Sequence, residues 1–294
     1  MVREVINRML PAIVGVAAFQ INVLVASGFA FAVGDEIVSA FNFAVRLMEL
    51  PQGVFGLSLA TYLLPTLSGL AAEKKYPEFR GTLRDGIGYL AFINTLASVL
   101  LIVLAEPMIR LLFERGSFQP EDTPEVAVAL QPLAVGLVAF SLVNILGRAF
   151  YALGDTGTPM RISVFCLALN AVVTLPLVWT FKQAGLGMAN SATSIINVSL
   201  LFFALKKKLR TLELGSVRAQ VPAILGAAAA AALTAYAASL LWTRWFGHAN
   251  LIERLGEVFV PMILATVAYF AVALWMRLPY PREMLRLLSR GRRD

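Results

Sequence analysis

Residues 41–68 read FNFAVRLMELPQGVFGLSLATYLLPTLS, an apolar run that contains Arg46, Pro51 and Pro65. About 20 apolar residues are enough for a helix to cross the hydrocarbon core of a bilayer. A proline inside a helix removes a backbone donor, so we expect this helix to be kinked or broken. An arginine inside a membrane span is costly because its guanidinium keeps its charge, so Arg46 calls for a specific explanation.

The rest of the sequence repeats this apolar pattern. Of the 294 residues, 59% are hydrophobic and 15% are charged, whereas soluble domains average about 45–50% and about 25%. Long continuous runs favour helices over a β-barrel, whose strands are short and alternate in polarity. We therefore predict an all-α integral membrane protein with eight spans. Their predicted limits are residues 10–33, 37–70, 87–112, 126–153, 159–181, 185–205, 220–243 and 256–277.

The basic residues are distributed unevenly between alternating loops. Nineteen of the 25 Lys and Arg residues lie in one set of loops and at the chain ends, five lie in the other set, and Arg46 lies within a span. Because basic residues collect on the cytoplasmic side, this pattern predicts cytoplasmic N and C termini. The same bias explains the net charge of +7, so we infer no nucleic-acid partner.

A basic connection, residues 206–219, divides the chain into a first part, 1–205, and a last part, 220–294. The first part holds six predicted spans and the last part holds two, followed by a basic cytoplasmic tail. We expect the connection to form a loop or a surface helix. A surface helix here would lie near anionic membrane lipids. The tail either lies on the cytoplasmic leaflet or is a solvated basic segment.

The sequence lacks the motifs of common enzymes and ATPases. It contains no HExxH, GxxxxGK[ST], GxGxxG or GxSxG pattern. Its only histidine is His248, in an outer loop, and its only cysteine is Cys166, in an apolar run. We therefore expect no enzyme, no metal site and no cofactor. A secondary transporter and a non-transporting membrane scaffold are the two classes left.

Two interpretations of Arg46 follow from its position. It lies about 13 Å into a span that starts near Ile37, at 1.5 Å per residue. In the first interpretation it faces a hydrated cavity and binds phosphate, because its planar fork makes paired charge-assisted hydrogen bonds. In the second it pairs with Glu49 three residues later. The two interpretations are compatible if Glu49 pairs with Arg46 until phosphate displaces it. Pro51, Gly53 and Gly56 then form either a hinge or a static kink.

A second group of polar residues lies in the first, fifth and sixth predicted spans, and includes Gln20, Asn22, Asn170 and Thr174. These side chains suit interhelical hydrogen bonds, a polar cavity or a weak cation site. The three spans contain no Asp or Glu, and carboxylates supply most of the field that holds a cation. We therefore expect no sodium site. Transport driven by the membrane potential is the alternative.

Three smaller expectations concern loops and ends. In ALGDTGTP, residues 152–159, Gly154 ends one helix and Asp155 or Thr158 caps the next. Arg148 is expected to pair with Asp155. In the predicted outer loop 113–123, Gly116 and Pro120 shape the backbone. The last two spans are expected to hold no buried charge.

Three stretches resemble the MurJ/MviN lipid II flippase family of the superfamily that also contains the MATE multidrug exporters. They are residues 41–68, LLFERGSFQPEDT at 111–123 and GRAFYALGDTGTP at 147–159, and they occur in the family's order. The resemblance implies a fold of two six-helix lobes and a final helix pair that forms a groove for a lipid tail. The chain is similar to the second lobe and the final pair.

The resemblance implies further functional properties. The substrate would be an undecaprenyl-linked peptidoglycan precursor, whose headgroup crosses the bacterial cytoplasmic membrane by alternating access, with Arg46 at the diphosphate. Other polyprenyl-linked saccharides or drugs are the alternative substrates. The first lobe would come from a separate chain or belong to a lost segment. Cell-wall synthesis proteins are the further partners that the resemblance suggests.

Overall fold

The computed structural model describes Gly28 and residues 34–283. The first predicted span, with Gln20 and Asn22, falls outside these residues apart from Gly28. The described residues from 34 onward form α-helices and one π-helical segment, without strands. These are α1 (Asp35–Pro51), the π segment (Gln52–Leu57), α2 (Ser58–Ala72), α3 (Tyr76–Val103), α4 (Ala105–Phe113), α5 (Asp122–Val135), α6 (Leu137–Ala152), α7 (Gly157–Phe181), α8 (Gln183–Leu209), α9 (Gly215–Trp245) and α10 (Leu251–Trp275).

Helices of membrane-spanning length dominate the described part of the chain. Six are long and apolar enough to cross a bilayer, and α5 with α6, bent by 46°, make a seventh if they form one span. These seven correspond in order to the second to eighth predicted spans. The all-α membrane fold is therefore confirmed. The count of eight stays a prediction, because residues 10–33 lie outside the described region.

The span that contains Arg46 is continuous. Pro51 has no backbone N–H to bond the carbonyl four residues earlier, and the next six residues widen into the π segment before α2 begins. The helix therefore does not break after Pro51 but continues through a wider, π-helical turn. The whole of Glu36–Ala72 counts as one candidate span. The second proline, Pro65, lies inside α2 without interrupting it.

Two large apolar clusters and a small one, formed by Ile37, Val38, Val178 and Leu186, hold α1 to α8 together, and we call this set of helices the lobe. Near one end, Leu67, Phe79, Phe150 and Leu205 pack between α2, α3, α6 and α8. In the other cluster, the buried face of α1 packs on α5, and α4 joins them through Ile109. The core therefore buries one face of α1 and leaves its opposite face outside.

The final pair, α9 and α10, packs on α3. The alanine-rich sequence of α9 allows close contact, as small residues do in membrane helices, and Ala227, Ala231 and Ala235 are completely buried. Tyr269 of α10 packs on Phe92 of α3 with 4.8 Å between the ring centres and donates to the Phe92 carbonyl oxygen at 2.8 Å. This bond satisfies a buried hydroxyl and fixes the final pair to the lobe.

The turn between α6 and α7 follows the sequence in part. Gly154 has a left-handed φ of 71°, which ends α6. Asp155 accepts from the Thr158 backbone N–H at 3.0 Å and so caps the first turn of α7. The expected pair of Arg148 with Asp155 is wrong, because Lys208 of α8 lies 2.7 Å from Asp155 Oδ2 instead. The reversal at Gly154 carries Asp155 away from the helical register that the pairing assumed.

The lysine run forms helix rather than loop. Lys206, Lys207 and Lys208 make up the last turn of α8, where cations interact favourably with the exposed carbonyls. Within the connection 206–219, the chain is non-helical only from Arg210 to Leu214. Within that connection, Glu213 accepts from Arg80 Nε of α3 at 3.0 Å.

The Asp155 turn makes stability depend on acid pH. Burial raises the pKa of Asp155, but hydrogen bonds from Lys208 and Thr158 outweigh it, so the pKa lies below its ordinary value. Stabilisation by the carboxylate is therefore complete above the pKa of the unfolded chain and is lost as pH falls through the folded pKa. We expect the melting-temperature advantage of the unmodified chain over Asp155→Asn to shrink between pH 5 and pH 3, values bracketing the ordinary pKa of about 3.9.

A lysine comparison isolates the cause. Lys208→Met should also weaken this acid dependence, whereas Lys207→Met, which alters an exposed neighbour without a described ion pair, should leave it intact. Equal acid slopes for the unmodified chain, Asp155→Asn and Lys208→Met would show that the carboxylate does not act in this way.

Candidate functional site

One face of α1 is polar and exposed. Asn42, Arg46 and Glu49 recur at helical spacing on this face, opposite the buried core residues of the same helix. In the part of the chain that the structure describes, the side chains of Arg46 and Glu49 make no ion pair or hydrogen bond with each other or with other residues. Arg46 is therefore open to a partner from outside the lobe, and the locked Arg46–Glu49 pair does not form.

The π segment lies directly beyond this face. Gly56 is its buried residue and sits against α6: a Cβ there would lie 2.8 Å from Ser141 Oγ and 3.1 Å from Ser141 Cβ. Gly53, on the exposed side, has open space around its Cβ position. Gly56 thus permits the close approach of the π segment to α6, whereas Gly53 serves no packing need in this arrangement.

The two glycines give a matched prediction about packing. We expect Gly56→Ala to lower the free energy of unfolding by about 1–2 kcal/mol, since overpacking outweighs the gain in helix propensity. Gly53→Ala should be neutral or stabilising by up to about 1 kcal/mol. Thermal unfolding in detergent micelles tests both, and Ser141→Gly should rescue Gly56→Ala by removing the overlapping atoms. Equal stability of the two alanine variants would contradict this packing.

The polar residues of α7 and α8 bond to each other. Asn170 Nδ2 donates to Thr193 Oγ1 at 3.3 Å, and Thr174 Oγ1 donates to Asn170 Oδ1 at 3.4 Å, all three being buried. The hydrogen-bonding interpretation of Asn170 and Thr174 thus has direct geometric support. The other two residues of this group, Gln20 and Asn22, lie outside the described residues. Within residues 34–283, no His, Cys, Asp and Glu side chains cluster as metal ligands would.

A group of charged residues that was not predicted lies at one end of the helices. This end also carries the connections at residues 114–121 and 246–250. We call this the outer end, following the predicted orientation. Arg110 Nη1 of α4 donates to both oxygens of Glu257 of α10, at 2.8 and 3.0 Å. Arg254 Nη2 donates to Glu114 Oε1 at 3.0 Å, and Arg110 Nε lies 3.7 Å from Glu114 Oε2. These four residues form the outer charge cluster.

The outer charge cluster overturns one expectation. The final two spans do hold a buried charge, because only 3% of the Glu257 side chain is exposed. The prediction failed because the partner of Glu257 lies 147 positions earlier in the sequence, outside the last two spans. Helical spacing of Arg110 with Glu114 and of Arg254 with Glu257 was the available signal, but it did not indicate that the two pairs meet.

An apolar groove runs along the final pair on the side away from the lobe core. It encloses about 730 Å³ and is lined by both helices: Leu233, Thr234, Ala237, Ala238, Leu241, Trp242, Trp245 and Phe246 from α9 and its end, and Val260 and Leu264 from α10. Several of these large side chains, including Leu233, Leu241 and Trp245, are more than half exposed. An open groove of this composition suits a hydrocarbon chain.

The lobe and the final pair together have a helical fold that solved transporter structures share. A solved structure of lipid II flippase MurJ in an inward closed conformation aligns with a TM-score of 0.72 at 22% identity, covering 92% of this chain and 54% of that one. A MATE-family multidrug resistance transporter of the MOP superfamily aligns with a TM-score of 0.60 at 14% identity, covering 96% of this chain and 67% of that one. Similarity at these identities establishes the fold.

Sequence comparison gives the particular family. The model of the family described as lipid II flippase MurJ matches residues 1–256, so the chain belongs to the MurJ family. A probable lipid II flippase MurJ from Vibrio cholerae is 34% identical over 66% of this chain and 37% of its own length. Those from Synechocystis and Bdellovibrio bacteriovorus are 28% and 29% identical, covering 91% and 92% of this chain and 50% and 51% of theirs. The chain thus spans about half the length of these relatives or less.

Proposed function

We propose that this chain provides the second lobe and the lipid-tail groove of a lipid II flippase. Its substrate is an undecaprenyl-linked peptidoglycan precursor, and the headgroup moves from the cytoplasmic to the periplasmic leaflet of a bacterial cytoplasmic membrane. The chain acts as a transporter without an enzymatic step. The observation that carries the proposal is Arg46, a permanent charge deep in a span, exposed on a polar face and free of any described partner.

The chemistry of a polyprenyl diphosphate fits the two surfaces of the chain. A diphosphate that crosses the membrane must be bound by cationic hydrogen-bond donors at a site shielded from the hydrocarbon. A guanidinium can supply two parallel N–H bonds to it. The long apolar tail needs a surface that remains open to the membrane, as the groove on α9 and α10 is. A substrate bound at both places would keep its tail in lipid while the headgroup crosses between lobes that alternate in access.

The exposed face of α1 requires a second wall. We propose that a six-helix first lobe, either in a separate chain or in a preceding segment, faces Asn42, Arg46 and Glu49 and closes the cavity around them. Glu49 lies three residues from Arg46 on the same face without bonding to it, so the guanidinium is open to phosphate in this arrangement. With no carboxylate in the spans that carry Asn170 and Thr174, the membrane potential and not sodium is the proposed driving force.

Reconstitution tests the proposal. The chain would be placed in proteoliposomes with a first lobe, for which the amino-terminal half of the Synechocystis relative can serve, and with lipid II labelled on its headgroup. We expect a chemical quencher to show headgroup movement across the bilayer only when both halves are present, and faster movement under an imposed potential. Movement no faster than in empty vesicles would contradict the transporter assignment and favour a scaffold. Faster movement of a different polyprenyl-linked saccharide or of a drug than of lipid II would identify that compound as the substrate instead.

A further inference from the structure

The outer charge cluster connects the final pair to the lobe near the outer end of α10. In the inner half of α10, Ala265, Tyr269 and Ala273 are buried in the apolar cluster shared with α3. In its outer half, Val258 and Pro261 are buried. At its outer end, Leu251, Ile252 and Leu255 are exposed. Here the Arg110–Glu257 and Arg254–Glu114 ion pairs are the polar contacts that join α10 to α4 and the residue after it. The outer part of α10 thus contacts the lobe through ion pairs in addition to its buried apolar residues.

The same cluster borders the groove. Glu257, Val260 and Leu264 lie at i, i+3 and i+7 on α10, so the buried carboxylate occupies the same helix face as two groove-lining residues. From the other helix, Thr243 Oγ1 lies 3.5 Å from Glu257 Oε1, next to the groove residue Trp242. Trp242 Nε1 in turn donates to the Glu253 carbonyl oxygen at 3.0 Å. Glu257 therefore lies next to the outer end of the groove.

We propose that Arg110 and Glu257 are positioning residues that hold the outer end of the groove in a fixed orientation against the lobe. A single nitrogen of Arg110, Nη1, donates to both carboxylate oxygens. This charge-assisted contact restrains the rotation and the depth of α10 relative to α4. Because Glu257 is almost completely buried, loss of its partner leaves a charge that burial penalises strongly. What the groove binds rests on the proposed function, whereas the fixed orientation does not.

The orientation can be measured as a distance. Spin labels would be attached to Phe203→Cys on α8 and Ile252→Cys on α10, whose parent side chains are 71% and 81% exposed, in a Cys166→Ala background of the full chain. Pulsed electron paramagnetic resonance in lipid nanodiscs then gives the distance distribution between the lobe and the outer end of α10. We expect one narrow peak for the parent, and loss of that peak to a broad distribution in Glu257→Gln.

A matched variant separates positioning from a general loss of charge. Glu106→Gln makes the same substitution on an exposed acid of α4, and it should keep the narrow peak. If Glu257→Gln yields no folded protein, Arg110→Met with Glu257→Met removes both charges and leaves the Glu114–Arg254 pair balanced. That double variant should fold and show the broad distribution. A narrow, unshifted peak in Glu257→Gln or in the folded double variant would overturn the proposal.

These distances are independent of substrate. If the groove binds no polyprenyl tail, the broadening remains and only the proposed function fails. If the distribution stays narrow while lipid II still moves, the positioning role alone is excluded.

Discussion

Arg46→Ala should lower headgroup transport by at least about 100-fold in the reconstituted two-lobe assembly. Two hydrogen bonds to a charged diphosphate contribute about 1.5–3 kcal/mol each, and every 1.4 kcal/mol is tenfold. Arg46→Lys should lose most of this activity as well, because an ammonium group keeps the charge but cannot make the paired planar contact. Initial rates of headgroup movement in proteoliposomes measure both.

The matched control is an arginine outside the polar face. Arg218→Ala removes an exposed guanidinium from the first turn of α9 and should leave the rate within about twofold, since surface charges act weakly and are screened. Because the Arg46 side chain makes no described contact within the lobe, Arg46→Ala should insert and melt like the parent. Transport by Arg46→Ala at the parent rate, with an equal amount of protein in the membrane, would contradict diphosphate binding by Arg46.

Gly185→Ala should destabilise the fold more than Gly56→Ala does. Gly185 opens the first turn of α8 against the end of α7, and an added Cβ would overlap the Leu177 carbonyl and lie 2.7 Å from the Val178 nitrogen. These are backbone atoms, which cannot rotate away as a side chain does. We expect a loss of more than about 3 kcal/mol, at or above the upper end of ordinary overpacking costs, and a corresponding fall in folded protein extracted from membranes.

Gly147→Ala is the control for that substitution. It lies within α6, and the position of its Cβ is open, so alanine should stabilise the helix by up to about 1 kcal/mol. The melting temperature of the two variants by size-exclusion fluorescence distinguishes them. Similar melting temperatures would show that α7 and α8 do not approach as closely at Gly185 as described.

Most of the fold was predictable because hydrocarbon imposes a length and a composition on each helix. The described candidate spans and the Asp155 turn were therefore visible as local patterns. The π segment was only half predictable: Pro51 indicated a disruption, but its form depends on how closely Gly56 approaches Ser141, which is a tertiary contact. Lys206–Lys208 were expected in a loop or surface helix, and instead they end a spanning helix, since lysines tolerate the last turn.

The candidate site divides in the same way. Arg46 was identifiable because a permanent charge in an apolar run is rare for a physical reason. Its lack of a bond to Glu49 could not be predicted, since i,i+3 spacing allows that pair without requiring it. The Arg110–Glu257 contact was invisible because no sequence pattern relates positions 147 residues apart. Long-range ion pairs in a membrane protein emerge only from the packing of whole helices.

The most direct test of the central claim is the distance between the Arg46 guanidinium and the phosphorus atoms of bound lipid. Solid-state NMR of the assembled protein, labelled with ¹⁵N-arginine and loaded with lipid II, reports this through ¹⁵N–³¹P dipolar dephasing. We predict an arginine signal with a nitrogen–phosphorus distance of about 4 Å, as charge-assisted N–H···O contacts require, and its disappearance in Arg46→Lys. Identical dephasing in the parent and in Arg46→Lys would mean that the diphosphate binds elsewhere.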